Sequence, residues 1–190
     1  YLAQYFTEQL EGAVLAINVK DVDFLRMDRP SDDINAQINR EWESINGNAH
    51  GVNNFIVYYP ATCEMASSKG INPELCKKIS LDVKTIDPNA LIGILQGISD
   101  IGARFLPDVF RYWQQEIAPK KIEKDPNFFK FSNFVRHFRD GLDGRRYPTK
   151  NSRGEIDEMP LHPSTATNIL ANLSKAIEYF DDPNAKILTE

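Results

Sequence analysis

Apolar residues recur at helical spacing along most of the chain. Leu2, Tyr5/Phe6, Leu10, Ala13/Val14 and Ile17 fall near a 3.6-residue period and predict an amphipathic first helix. Val19 to Met27 is short and charged, and can continue that element. Asp28-Arg29-Pro30-Ser31-Asp32-Asp33 reads as a break followed by a cap. Ser31 or Asp32 can accept from the free amides of a helix through Ile34, Ile38, Trp42 and Ile45. Val52 to Tyr59 contains the Ile, Val and Tyr of a strand, but helical neighbours on both sides favour a buried helix kinked at Pro60.

A turn at Lys69-Gly70-Ile71-Asn72-Pro73 leads to a short helix from Glu74. Asp87-Pro88 opens a long apolar helix carrying Leu91, Ile92, Leu95, Ile98, Ile101 and Phe105. Leu106-Pro107-Asp108 starts the next, with Val109, Phe110, Tyr112, Trp113 and Ile117. Asp125-Pro126 begins an aromatic helix in which Phe128, Phe131, Val135, Phe138 and Leu142 share one face. Residues 147–163, with three prolines and a glycine, read as an irregular connector without a core of its own. Ser164 or Thr165 caps a last amphipathic helix with Ile169, Leu170, Leu173, Ile177 and Phe180. That helix either folds back on its own domain or docks on a neighbouring copy. The expected fold class is therefore mainly α. A compact helical core spans residues 30–148, with an N-terminal helical arm over 1–29 and a connector plus C-terminal helical arm over 149–190.

Charge changes this picture more than composition does. Hydrophobic residues make up 42% of the 190, enough for a packed core, and no apolar run is long enough to span a membrane. Residues 104–153 hold twelve Lys/Arg against six Asp/Glu, formally +6, while the other 140 residues hold ten against twenty-one, formally −11. The whole-chain −5 hides that asymmetry. Within the basic stretch, Phe128-Phe129-Lys130-Phe131-Ser132-Asn133-Phe134-Val135-Arg136-His137-Phe138-Arg139 interleaves rings with cations. Cations neutralise phosphates and flat groups stack on bases, which is what a single-stranded nucleic acid needs. The same stretch also reads as a buried aromatic helix with a solvated charged face. The candidate phosphate contacts are Arg104, Arg111, Arg136, Arg139, Arg145 and Arg146, and the candidate stacking rings are Phe129 and Tyr147.

Enzyme chemistry finds little footing. The chain has no Gly-rich phosphate loop, nucleophile elbow or His-Glu-x-x-His run. Cys63 and Cys76 permit one disulfide or two free thiols, and their spacing is not that of a zinc knuckle. A thiol nucleophile would need His50, His137 or His162 as its base. No enzyme activity, cofactor or metal is expected. The Asp32/Asp33 pair suits a helix N-terminus, whereas Asp181/Asp182 follow a helix, where acids are mildly unfavourable.

The order of elements from Ile79 onward resembles the coat proteins of flexible filamentous plant viruses, and more remotely the nucleoproteins of phlebovirus-like negative-strand RNA viruses. Three features carry the resemblance. A long apolar helix runs into an aromatic one over Ile101 to Trp113. The Phe-rich element Asp125 to Phe134 stands where the family has an Ala-Phe-Asp-Phe-Phe element, although here Ser132-Asn133-Phe134 lacks the acid. A Pro-containing connector, Met159-Pro160-Leu161-His162-Pro163-Ser164, leads to a terminal helix. The resemblance implies a helical core with an RNA groove, and a homo-oligomer formed through the terminal helices. The expected function is then a coat or capsid protein that packages single-stranded RNA in a helical filament, found in the virion and the host cytoplasm. The alternative is a helical protein-interaction module, a secretion-system component or effector, whose basic face meets an acidic partner.

Overall fold

A computed structural model describes residues 2–17, 25–60, 70–95, 97–144 and 146–187. Arg145, Cys63 and most of the 19–27 stretch lie outside the described residues. The elements follow the order α1 (Leu2–Gln9), α2 (Ala36–Ser44), β1 (Val57–Pro60), β2 (Cys76–Ser80), α3 (Ala90–Ile94), α4 (Asp100–Tyr112), α5 (Ala118–Ile122), α6 (Phe131–Asp140), β3 (Arg146–Lys150), β4 (Ile156–Pro160), α7 (Pro163–Ala176) and β5 (Lys186–Ile187). About 45% of the described residues are helical and 12% are in strands. The fold is mixed α/β, which corrects the mainly α expectation and its helical arms.

The chain divides into two compact units, Tyr1–Tyr59 with Cys63–Lys77 and Pro60–Thr62 with Lys78–Glu190. In the first, α1 is shorter than its apolar pattern suggests, and residues 11–17 are irregular. Asn35, not Ser31 or Asp32, caps α2 by accepting from the amides of Gln37 and Ile38. Gln4 donates to the carbonyl of His50 at 2.6 Å, and the amide of Val52 to that of Met27 at 2.6 Å. Val57–Pro60 is a strand rather than a kinked helix, as its β-branched and aromatic residues allow. Past the single 3-10 turn at Pro73–Leu75, where a helix was expected from Glu74, the chain enters β2.

The second unit is built around α4. The expected long helix from Asp87 is broken: Leu95 takes an extended conformation just after α3, Gly97 turns the chain with a left-handed φ of +77°, and Ser99 caps α4 by accepting from the amide of Gly102. Once restarted, α4 runs through Pro107 instead of stopping there. Proline forfeits one backbone hydrogen bond, yet Phe105, Leu106, Val109, Phe110 and Trp113 around it are all buried. Tertiary packing outweighs the local cost. A wider π turn over Trp113–Ile117 follows, and from it buried Gln114 donates to the carbonyls of Val83, Lys84 and Ile86 at 3.0 to 3.1 Å. The two hydrogens of that amide, shared among three carbonyls, hold the 83–86 loop against the helix.

Helix α6 buries Phe131, Phe134, Val135 and Phe138. Helix α7 buries Ala166, Ile169, Leu173 and Ala176 against α4 and α6. The terminal helix is thus part of the core and not an arm. Residues 147–163 are not a coreless connector either. β3 and β4 form an antiparallel ribbon, with Tyr147 opposite Met159 and Thr149 opposite Asp157. Tyr147, Thr149 and Leu161 are buried. Beyond α7, β5 pairs in parallel with β2, Ile79 opposite Lys186. The ion pair Lys78–Asp182, 3.0 Å, lies beside that pairing. The amide of Asn184 and the ammonium of Lys78 hold the Asp182 carboxyl below its ordinary pKa.

Candidate nucleic-acid interface

Three rings form the structural centre of the basic stretch. Phe138 of α6 stacks on Tyr147 of β3 with centroids 4.7 Å apart, and Phe105 of α4 meets the same tyrosine edge-on at 5.6 Å. Each ring has an exposed arginine as its chain neighbour: Arg104 beside Phe105, Arg139 beside Phe138 and Arg146 beside Tyr147. Arg136, three residues before Arg139, shares its helix face and is also exposed. Arg104, Arg139 and Arg146 are thus chain neighbours of the three packed rings, and Arg136 lies on the same helix as Arg139.

Their partners differ. Arg104, Arg136 and Arg139 form no ion pair among the described residues, even though Asp140 stands four positions after Arg136. Arg146 pairs with Glu158 across the ribbon at 3.4 Å, with both side chains more than half exposed, so the pair is weak and readily exchanged. His137 is half-buried, and burial lowers its pKa, favouring the neutral ring, despite the opposing pull of Asp140.

The remaining candidates serve the fold. Arg111 is 8% exposed; its guanidinium bonds the carboxylate of Asp108 and the backbone carbonyl of Lys150, clamping β3 to α4. Lys150 is likewise spent on Glu116 at 2.8 Å, and that ammonium is the main reason the Glu116 carboxyl titrates below its ordinary range. Phe129 packs edge-on against Trp113 and is half-buried. Tyr147 is 1% exposed, so its ring is committed to Phe138 and Phe105 and not to a base. Of the expected site, Arg104, Arg136, Arg139 and Arg146 are exposed, Phe129 is half-buried, and Arg111 and Tyr147 lie in the core.

Burial gives Tyr147 a measurable signature. Its hydroxyl has no hydrogen-bond partner among the described residues, and desolvation pushes its pKa up to about 12. A phenol whose folded pKa lies above the ordinary value near 10 loses its proton more readily once the chain unfolds. Its contribution to stability is intact below that ordinary value and is lost as pH rises through the folded one. Alkaline titration at 295 nm should show one tyrosine ionising last, together with a fall in thermal midpoint. Tyr147→Phe should remove both features; if the late ionisation persists in the variant, it belongs to another tyrosine.

Among the described residues, no three His, Cys, Asp or Glu side chains gather as metal ligands, and no helix is long and apolar enough to cross a membrane. Cys76 is a free thiol whose pKa burial raises, the charge of Asp28 adding to the effect. A thiol shifted upward is a poor nucleophile. No protein-family model matches the chain, and no curated protein or solved structure matches it.

Proposed function

We propose that this protein binds single-stranded RNA through the arginines bordering the Phe105–Tyr147–Phe138 cluster, and packages it as a structural protein that associates with copies of itself. The observation that carries the reading is the placement of Arg104, Arg136 and Arg139, all exposed and without ion pairs among the described residues, in a chain whose other cations include several tied into the fold. Free guanidiniums on rigid elements are prepaid phosphate contacts, because their planar forks match phosphate oxygens. With Tyr147 internal, the interaction rests on phosphates and carries little base preference. Copies can meet along β4, whose five residues are all exposed and which pairs only with β3 among the described residues.

Fluorescence anisotropy with a labelled oligouridylate tests this. Four phosphate contacts give an expected slope of log K against log salt of about −3, and removing two should reduce it by about 1.4. Arg136→Gln with Arg139→Gln should therefore weaken and flatten the salt dependence while leaving the thermal midpoint in place. Binding that is absent at low salt, or indifferent to both substitutions, defeats the reading. A protein partner for the same face would instead leave the purified protein a monomer with protein-like ultraviolet absorbance, where RNA packaging gives particles that absorb strongly at 260 nm.

A further inference from the structure

The first unit contains a cavity of about 710 Å³, within the range of small-molecule sites. Ile34, Ile38 and Trp42 supply an apolar wall, and Arg26 and Arg29 a cationic one. The two guanidiniums both lie beside Gly70. A Cβ on Gly70 would stand 3.4 Å from Nη2 of Arg29, and 3.7 and 3.8 Å from Nε and Nη2 of Arg26. Gly70 itself has φ +66°, a conformation that side chains resist.

Three guanidinium nitrogens thus lie within 4 Å of that position: Nε and Nη2 of Arg26 and Nη2 of Arg29. They are also unspent. Arg26 uses Nη1 on Asp32 at 3.1 Å, but its Nε is buried without a hydrogen-bond partner, and Arg29 makes no hydrogen bond or ion pair among the described residues. Asp32 offsets part of the Arg26 charge, but a buried donor left over beside a second cation is a costly arrangement that an added anion relieves. An arginine edge plus a third donor matches the oxygens of a tetrahedral oxyanion.

We propose that this cavity binds a small phosphomonoester with an apolar or aromatic body, its phosphate held by Arg26 and Arg29 and its body lying along Trp42 and Ile38. A dianionic phosphate offers three oxygens to the three donors. Asp33 also lines the cavity and repels further negative charge, which favours one compact phosphate over a polyphosphate or a nucleic-acid backbone. The site is in the first unit and is independent of the arginine face of the second.

Isothermal titration of the full chain at constant ionic strength tests the proposal with three probes. Phenyl phosphate should bind more tightly than inorganic phosphate, and diethyl phosphate, a singly charged diester, should bind little or not at all. Arg29→Gln removes an exposed side chain without partners and should leave folding intact while weakening phenyl phosphate about tenfold or more. The Nε–H resonance of Arg26 should shift with phenyl phosphate in the wild type. Binding no stronger than that of chloride, or unchanged in Arg29→Gln, overturns the site. Equal binding of phenyl phosphate and inorganic phosphate overturns the role of the apolar wall, and equal binding of diethyl phosphate overturns the monoester assignment.

Discussion

Phe110→Ala should destabilise the second unit by about 3–5 kcal/mol, the range for truncating a fully buried phenylalanine. Phe110 is wholly buried on α4 and touches three other rings: Phe134 edge-on at 4.9 Å, Trp113 at 6.0 Å and Phe131 at 6.3 Å. It is the point where α4, the π turn and α6 meet. Truncation deletes its apolar transfer energy and leaves a void that those neighbours, themselves fully buried, have little freedom to fill. A domain of this size has only about 5–15 kcal/mol in hand, so much of the unit's stability is at stake. Near-ultraviolet circular dichroism during urea unfolding follows the aromatic packing directly. A midpoint shift worth less than about 1 kcal/mol would show that the ring cluster contributes far less than its burial implies.

Asp181→Ala should cost about 2 kcal/mol, a large effect for a side chain outside the apolar core. The amides of Phe131 and Ser132, the first two of α6, donate to its two carboxylate oxygens at 2.8 and 2.7 Å. The residue at the N-cap position, Lys130, offers α6 no side-chain acceptor. An aspartate some fifty positions downstream does that work, and its charge also complements the positive end of the helix. The same bonds draw the chain after α7 toward α6, where Phe180 stacks on Phe131 at 4.2 Å. Asp181→Asn should retain part of the stability, since an amide oxygen can still accept one bond. Urea unfolding of the two variants measures the difference, and an unchanged midpoint for Asp181→Ala would rule out the cap.

This cap also answers a question that the linear chain leaves open. Asp181 and Asp182 follow a helix, where their charge is locally unfavourable, and nothing nearby explains them. One caps a different helix and the other pairs with Lys78. Arg136 and Arg139 lie off the apolar stripe of their helix, so their exposure was legible, whereas the bond of Arg111 to a carbonyl 39 residues away was not.

Local periodicity sufficed wherever a helix meets the core with one face. Phe131, Val135 and Phe138, and likewise Ile169 and Leu173, are buried as their spacing implies, because side chains three and four apart share a side of a helix. The segregation of charge is equally a property of the chain itself. The β ribbon over 146–160, the strand at Val57–Pro60 and the continuity of α4 through Pro107 were decided only in three dimensions. Proline at 148 and 160 reads as a breaker along the chain, yet a two-stranded ribbon leaves backbone positions that need no donor. Which cations remain free, and which are consumed by carboxylates and carbonyls, depends on partners far apart in the chain, and only folding brings those together.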